Sequence, residues 1–255
     1  MIEQLFGLQG RTALITGSSK GIGYALAGGL ASAGATVVLN ARTQAPLEAA
    51  CDELKRIGYA AHAYAFDVTD AAAAATNIDK IEAQVGPIDI LINNAGMQFR
   101  TPLQDFPVPM WSQLMRTNLD SAFYVGQACA RHMIARGTGK IINICSVQSE
   151  LGRPGIAPYA ASKGALKMLT KGMCIDWAPH GLQVNGLGPG YFETELNQAL
   201  VDDPEFSAWL QKRTPAGRWG KVDELIGAGI FLASSASSFV NGHVLYVDGG
   251  ITSSL

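Results

Sequence analysis

Short apolar runs alternate with longer amphipathic segments along most of the chain. The segments between the runs carry apolar residues at helical spacing, as at Ile78, Ile81 and Val85. Several runs are apolar nearly throughout, as strands of a parallel sheet that is covered on both faces should be. The pattern therefore predicts an α/β fold, a doubly wound parallel sheet of the Rossmann type with helices on both faces. The predicted strands lie near residues 11–16, 35–40, 61–66, 88–93, 139–145, 182–188 and 243–247.

Length and composition fit one domain. A chain of 255 residues with 48% hydrophobic content can bury one large core, so we expect a single domain over residues 1–255. The net charge of −2 argues against nucleic acid as a main partner. The segment 1–7 lacks a basic region followed by an apolar core, and no apolar run reaches the ~18 residues of a membrane span. We expect a soluble protein of the cytoplasm that does not bind membranes.

The cysteines and histidines are scattered along the chain. No C-x-x-C pair occurs, and scattered thiols in an intracellular chain are more often reduced core residues than disulfide partners. We expect neither a disulfide framework nor a catalytic metal. The residues concerned are Cys51, Cys129, Cys145, Cys174, His62, His132, His180 and His243.

A glycine-rich turn follows the first predicted strand. The run Thr12–Ile15 leads into Thr16-Gly17-Ser18-Ser19-Lys20-Gly21-Ile22-Gly23 and then into a helix-forming stretch. The glycines allow a tight turn, and the start of the helix offers free N–H groups and a positive dipole end to a pyrophosphate. The expected ligand is a dinucleotide. The spacing differs from the G-x-G-x-x-G of the larger dinucleotide-binding domains.

Tyr159 and Lys163 lie four residues apart in a stretch that favours helix. On a helix they share a face, about one turn or ~6 Å of rise apart. A tyrosine with an ordinary pKa near ~10 needs a drop of roughly three units to act as a base near neutrality. A neighbouring lysine supplies part of that drop, and a cationic cofactor ring would supply more.

Four motifs, in this order along the chain, resemble those of the short-chain dehydrogenase/reductase family. They are Thr16-Gly17-x-x-x-Gly21-x-Gly23, Asn93-Asn94-Ala95-Gly96, Ser146 before Tyr159-x-x-x-Lys163, and Pro189-Gly190. The resemblance extends from about residue 8 to the C-terminus. It implies an oxidoreductase that moves a hydride between a nicotinamide cofactor and a substrate carbon, while a proton moves at the attached oxygen.

The same resemblance implies roles for individual residues. Tyr159 would take the substrate's proton, Lys163 would hold the phenolate and the nicotinamide ribose, Ser146 would orient the substrate oxygen, and Asn118 would hold a water that connects Lys163 to solvent. Relatives are commonly tetramers built on two long helices, here near 109–136 and 157–180, so we expect a homotetramer. The implied cofactor site consists of Gly17, Ser19, Lys20, Gly21, Ile22, Gly23, Asp67, Val68, Asn94, Ala95, Gly96, Tyr159, Lys163, Pro189 and Gly190.

The charges after the second predicted strand indicate which nicotinamide cofactor is bound. A bare ribose is usually held by an acidic residue there, whereas a 2′-phosphate needs cations. The strand continues into Arg42, and no acid appears before Glu48. Lys20 in the glycine-rich turn would reach the same phosphate. We therefore expect NADP or NADPH, the alternative being that both cations are only surface residues.

The expected substrate pocket is polar. It is lined by residues 97–100, 147–154 and 191–195. Arg100 is suited to hold a carboxylate, and Gln148 and Glu150 are suited to meet hydroxyls near Ser146 and Tyr159. This profile favours a polyhydroxy acid over a steroid or a fatty chain.

Three longer segments narrow the resemblance within the family. Residues 143–151, 212–220 and 239–243 resemble the gluconate 5-dehydrogenase group, which implies interconversion of D-gluconate and 5-dehydro-D-gluconate with NADP. That group's usual Gln-Arg-Arg reads Gln98-Phe99-Arg100 here, so another sugar acid or a polyol stays open.

Two other functions stay open at this stage. One is a 3-oxoacyl-carrier-protein reductase, whose acidic carrier needs a basic face to which Arg131, Arg136 and Lys140 would contribute. The other is a non-catalytic NADP-binding subunit. The polar pocket argues against the first, and the presence of all four catalytic residues argues against the second.

Overall fold

Seven strands form one parallel sheet in the order β3-β2-β1-β4-β5-β6-β7. The protein is described by a computed structural model that covers residues 1–254. No strand extends more than one residue beyond the range predicted from the sequence. The strands are β1 Thr12–Ile15, β2 Thr36–Ala41, β3 Ala61–Ala65, β4 Ile88–Asn93, β5 Gly139–Ile144, β6 Leu182–Pro189 and β7 Val244–Val247.

Helices connect the strands. They are α1 Ile2–Phe6, α2 Gly21–Ser32, α3 Gln44–Arg56, α4 Ala71–Gln84, α5 Val108–Met115, α6 Ser121–Arg136, α7 Ala157–Trp177, α8 Gln198–Val201, α9 Pro204–Arg213 and α10 Ile226–Ala233. A π-helical turn, Arg116–Asp120, joins α5 to α6 without a break. The two long helices expected near 109–136 and 157–180 are therefore confirmed. Short 3₁₀ turns lie at Leu103–Asp105, Val147–Ser149, Ala178–His180, Glu195–Asn197, Val222–Leu225, Ser235–Ser237 and Ile251–Ser253.

The core is divided by the sheet into two layers. Because side chains alternate across a strand, Ala13 and Ile15 of β1 pack into one layer and Leu14 into the other. The first layer is built with α2, α3 and α10, and the second with α4, α6 and α7. Both faces of the strands are therefore buried, which explains their nearly continuous apolar runs and confirms the doubly wound, single-domain α/β fold.

The strand order reverses beside β1, and this reversal positions the site. The chain runs outward from β1 to β3 and then returns to place β4 on the other side of β1. In open sheets of this kind ligands bind in the crevice at the carboxyl ends of the strands where the order reverses. Thr16 directly follows β1, and Asn93 is the last residue of β4, so both lie at the carboxyl ends of the two strands that border this crevice.

Two further findings concern residues 1–254. No helix there combines the length and apolar character that crossing a membrane requires. No group of three His, Cys, Asp or Glu side chains is placed to hold a metal ion in the same range.

Candidate active site

The glycine-rich turn approaches the start of α2 in a conformation that only glycine accepts easily. Gly17 and Gly21 both have a φ of 61°, a left-handed value that side chains rarely adopt. A Cβ on Gly23 would lie 2.4 Å from Nδ2 of Asn94, so this position has no room for a side chain. No side chain caps the N-terminus of α2. Its first N–H groups are therefore available to an anion such as a pyrophosphate.

Hydrogen bonds fasten the turn to the end of β4. Oγ1 of Thr16 accepts from the backbone N–H groups of Asn94 (3.0 Å) and Ala95 (3.1 Å). The Asn94 amide donates to the carbonyls of Thr16 (3.0 Å) and Gly17 (2.8 Å). The glycine-rich turn and the loop after β4 are therefore held together at the crevice. We had not assigned Thr16 to the site, although its place at the start of the glycine motif is the signal for it.

The remaining expected cofactor residues border the same crevice. Asp67 accepts two hydrogen bonds from Thr69, at 2.8 Å each. Burial raises the pKa of Asp67, but these bonds and the charge of Arg42 outweigh it and lower the pKa below its usual range. Arg42 is exposed and Val68 is buried. Ser19 and Ile22 lie at the glycine turn and the start of α2, and Pro189 and Gly190 lie at the end of β6.

Lys20 is engaged in an ion pair across the cleft. Its ammonium contacts the carboxylate of Glu195, in the loop that follows β6. The side chains are 68% and 70% exposed, and a pair this exposed contributes little to stability. Lys20 therefore remains available to a phosphate. Its ion pair with Glu195 has no signal in the sequence around either residue.

Tyr159 and Lys163 share one face of α7, as predicted. Lys163 is only 4% exposed, and its ammonium donates to the carbonyl of Ile144 at 2.6 Å. The ammonium lies 5.8 Å from the centroid of the Tyr159 ring. Burial lowers the pKa of Lys163 to about 8, and the nearby Cys145 opposes this shift.

The pKa of the Tyr159 phenol is raised above its ordinary value. Burial raises its pKa to about 12, while the Ser146 hydroxyl and the charge of Arg100 act to lower it. The Ser146 hydroxyl also accepts from the backbone N–H of Gln148 at 3.1 Å, so it is held between the loop and the phenol. Burial of the phenol therefore acts against the drop in pKa that base catalysis near neutrality requires.

Asn118 lies in the π-helical turn and is 1% exposed. Its amide oxygen accepts from the backbone N–H of Met97 at 2.7 Å, and its Nδ2 donates to the Met97 carbonyl at 3.0 Å and to Ser162 Oγ at 3.1 Å. Ser162 is the residue before Lys163. Asn118 therefore connects the loop after β4 to α7, a contact that the sequence alone does not predict. The expected role in holding a water stays a prediction.

Arg100 and Gln148 both contact the segment that follows β6, whereas Glu150 contacts α7 and β7. Arg100 Nη2 donates to the side-chain oxygen of Asn197 at 3.2 Å, and burial together with the charge of Arg153 lowers its pKa. The Glu150 carboxylate contacts Lys167 and accepts from the Tyr246 hydroxyl at 2.8 Å. A substrate contact by Glu150 stays a prediction, and it would compete with these partners.

An aromatic cluster borders the substrate end of the crevice. Tyr191 follows Pro189-Gly190, and its hydroxyl accepts from Gln148 Nε2 at 3.2 Å. Its ring lies 5.7 to 6.3 Å from three other rings, which anchors α9 over this end of the crevice. We had placed Tyr191 in the pocket lining without a role. The three other rings are those of Phe206, Trp209 and Trp219.

Comparisons with known proteins agree with this geometry. The family model for short chain dehydrogenase matches residues 11–205. The chain is 61% identical over 251 residues to a gluconate 5-dehydrogenase of Gluconobacter oxydans and 53% identical over 250 residues to a 5-keto-D-gluconate 5-reductase of Escherichia coli, each alignment covering 98% of both proteins. A crystal structure of a gluconate 5-dehydrogenase from Burkholderia cenocepacia, in complex with NADP and tartrate, has 62% identity and a TM-score of 0.98 over 100% of both chains. The chain belongs to the short-chain dehydrogenase/reductase family.

Proposed function

We propose that this protein is an NADP-dependent oxidoreductase that interconverts D-gluconate and 5-dehydro-D-gluconate. The observation that carries the proposal is the position of Arg100, which forms no ion pair within residues 1–254, contacts Asn197 at 3.2 Å and acts by its charge on the Tyr159 phenol. A cation at that place suits a substrate with a carboxylate and a reacting hydroxyl on one short chain. The identity of 53–62% to proteins that carry these activities in their names supports it.

The crevice fits a dinucleotide with a 2′-phosphate. The uncapped start of α2 suits the pyrophosphate. Arg42 follows β2, and Lys20 is held only by an exposed ion pair, so both cations are available to the phosphate. The NADP in the Burkholderia relative supports the same cofactor here. When it is bound, its nicotinamide ring supplies or accepts the hydride.

The chain's own residues handle the proton. In ketone reduction the neutral Tyr159 phenol donates its proton to the substrate oxygen, and in alcohol oxidation the phenolate takes that proton back. The raised pKa of about 12 keeps the phenol in the donor form before the cofactor binds. Lys163, in its ammonium form, stabilises the phenolate, and Ser146 orients the substrate oxygen. Asn118 is proposed to hold the water that connects Lys163 to solvent.

The substrate contacts are proposed from the same geometry. Arg100 binds the carboxylate, which lies away from the reacting carbon. The buried Gln148 Oε1 has no hydrogen-bond partner among residues 1–254, and such an acceptor suits a substrate hydroxyl. Glu150 would meet a second hydroxyl. We retain it in the proposal although Lys167 now occupies its carboxylate.

The basic face required by a 3-oxoacyl-carrier-protein reductase is weak. Arg136 contacts Glu82 at 2.6 Å, and Lys140 is partly buried and donates to Ser237 at 3.1 Å. Arg131 donates to Gln127 at 3.3 Å. This arrangement favours the sugar-acid substrate over an acidic carrier protein.

Assembly as a homotetramer in the cytoplasm completes the proposal. Five large apolar residues are exposed on the two long helices. They are Val108 and Trp111 on α5, Phe123 on α6, and Met168 and Ile175 on α7. Apolar surface of this kind suits contact between subunits. The free thiols of Cys51, Cys129, Cys145 and Cys174 suit a reducing compartment.

The test is a spectrophotometric assay at ~340 nm, where the reduced nicotinamide absorbs. Purified protein should reduce 5-dehydro-D-gluconate with NADPH and oxidise D-gluconate with NADP. The matched reactions use NADH and NAD, and an acetoacetyl thioester serves as the competing substrate. Faster turnover of the thioester than of the sugar acid would refute the proposed substrate. Equal use of NADH and NADPH would refute the proposed cofactor.

A further inference from the structure

Arg153 has a buried donor that nothing in the described chain uses. Its Nε is buried and has no hydrogen-bond partner among residues 1–254. The guanidinium lies 5.2 Å from the centroid of the Phe206 ring, and its only polar contact described is a long one, from Nη1 to the neighbouring carbonyl of Pro154 at 3.5 Å. Leaving a buried donor unpaired is costly, and an unpaired group of this kind calls for an explanation.

A second arginine, Arg100, lies on another loop near enough to Arg153 for the two charges to interact. Arg100 reaches the carbonyl of Leu196 at 3.4 Å and the side chain of Asn197 at 3.2 Å, both of them neutral acceptors. Neither Arg100 nor Arg153 forms an ion pair within residues 1–254. Their charges act on each other, since Arg153 contributes to the lowered pKa of Arg100. Two like charges held together without an acid between them favour an anionic ligand.

The loop that carries Arg100 supplies no second cation, because the residue beside it is Phe99. Its ring packs edge to face against Phe106 with centroids 5.4 Å apart. The side chain at this position is therefore committed to packing, and it leaves the loop with Arg100 as its one cation.

We infer that Arg153 is a second substrate-binding arginine, which together with Arg100 holds the carboxylate of the sugar acid. This inference deepens the proposed function and rests on it. The aromatic cluster fixes the guanidinium over Phe206, and the unpaired Nε is the donor that the carboxylate satisfies. Gln148 lies in the same loop region, and its unpaired Oε1 accepts from a substrate hydroxyl. One unpaired donor and one unpaired acceptor thus match an anionic, hydroxyl-bearing ligand.

The competing explanation is structural: Arg153 serves only to anchor Phe206 and α9. Three variants separate the two. Arg153→Met removes the charge and donors but keeps an unbranched stem for packing. Arg153→Lys keeps the charge without the planar fork. Phe206→Leu removes the stacking partner and leaves Arg153 intact, so it is the control for a purely structural role.

The assay measures KM and kcat for D-gluconate together with the affinity for NADPH. Losing a charge-assisted contact predicts that Arg153→Met raises KM by about 10- to 100-fold. We expect kcat to change by less than about 3-fold, because the carboxylate lies away from the reacting carbon and is held similarly in the ground and transition states. NADPH affinity should not change. Arg153→Lys should recover part of the loss, and Phe206→Leu should raise KM far less than Arg153→Met.

A double-mutant cycle with Arg100→Met measures the coupling between the two arginines in log KM. A purely structural role of Arg153 predicts no such coupling. If both arginines hold one carboxylate, the two substitutions are strongly non-additive in log KM. Additive effects, or equal KM increases in Arg153→Met and Phe206→Leu, would overturn the inference while the proposed function stands. Failure of the wild-type protein to use either gluconate or its 5-keto product would instead overturn the proposed function.

Discussion

Replacing Lys163 with methionine should remove a pH-dependent cost from the folded, cofactor-free protein. Burial lowers the pKa of this lysine from its ordinary value of 10.5 to about 8. In the unfolded chain the ammonium is exposed and keeps its ordinary pKa. Between these two pH values the unfolded state therefore binds more protons than the folded state, so stability rises with pH in this window.

The structure gives the size of the effect. One pKa unit corresponds to ~1.4 kcal/mol, so the shift of Lys163 is equivalent to ~3 kcal/mol. The cost of the buried ammonium is fully present below pH 8 and disappears as the pH rises to 10.5. The variant also leaves the Ile144 carbonyl without its donor, which costs ~1–3 kcal/mol. That cost does not depend on pH, so it shifts the difference in unfolding free energy between wild type and variant by a constant amount. Only the change of this difference with pH reports the cost of the buried ammonium.

The assay is urea unfolding followed by tryptophan fluorescence, at fixed protein concentration, from pH 7 to pH 10.5. The unfolding free energy of the wild type minus that of Lys163→Met should rise by ~3 kcal/mol across this range. Lys171→Met, which removes an exposed lysine of the same helix, is the matched control. If the wild-type and Lys163→Met curves remain parallel, the buried ammonium does not carry the proposed cost.

Three further outcomes are expected. Tyr159→Phe should keep the fold and NADP binding while kcat falls at least ~10²-fold, and substantial turnover in this variant would contradict the proton-transfer role. Replacing Arg42 and Lys20 together by neutral residues should weaken NADP binding by ~2–4 kcal/mol in a fluorescence titration. NAD binding should hardly change, and an equal loss for both cofactors would argue against a phosphate contact. Arg100→Ala should lower kcat/KM for D-gluconate more than for the uncharged D-glucitol, and an equal loss would show that Arg100 does not bind the carboxylate.

The sequence predicted the parts of this protein that depend on local pattern. Buried parallel strands leave nearly continuous apolar runs, so the pattern predicts the seven strands to within about two residues. The bounds of the two long helices come from the family resemblance. The Tyr159–Lys163 pair was equally accessible, because helical geometry alone brings residues four apart to one face.

What the sequence did not predict depends on contacts between distant segments. Nothing local in Lys20 indicates an ion pair with Glu195, which comes from a loop after β6. The Glu150 carboxylate looked available for a substrate until the fold brought Lys167 and Tyr246 to it. Arg153 had no motif of its own, and only its burial without a partner sets it apart from an ordinary surface arginine.

The pKa of Tyr159 shows a similar limit. Sequence spacing suggested a lysine that would favour the phenolate, yet the tertiary structure buries both groups. Burial disfavours the charged form of each, so the phenol pKa rises and the ammonium pKa falls. Desolvation determines the direction of both pKa shifts, and the spacing of the two residues in the sequence does not predict their burial.

The π-helical turn at Arg116–Asp120 sets the rotational phase of the long helix that follows it. An α-helix advances about 100° per residue, so the one extra residue in this turn rotates everything downstream by roughly that angle. With it, Asn118 reaches Met97 and Ser162 while Val125, Cys129 and Met133 of α6 still face the sheet. Deleting one residue from the turn would give a regular α-helix in which Asn118 and the apolar side chains of α6 could not both keep their present directions. Either Asn118 would lose Met97 and Ser162, or the apolar side chains would leave the core. The π-helical turn therefore lets one helix contribute both to the crevice and to the core.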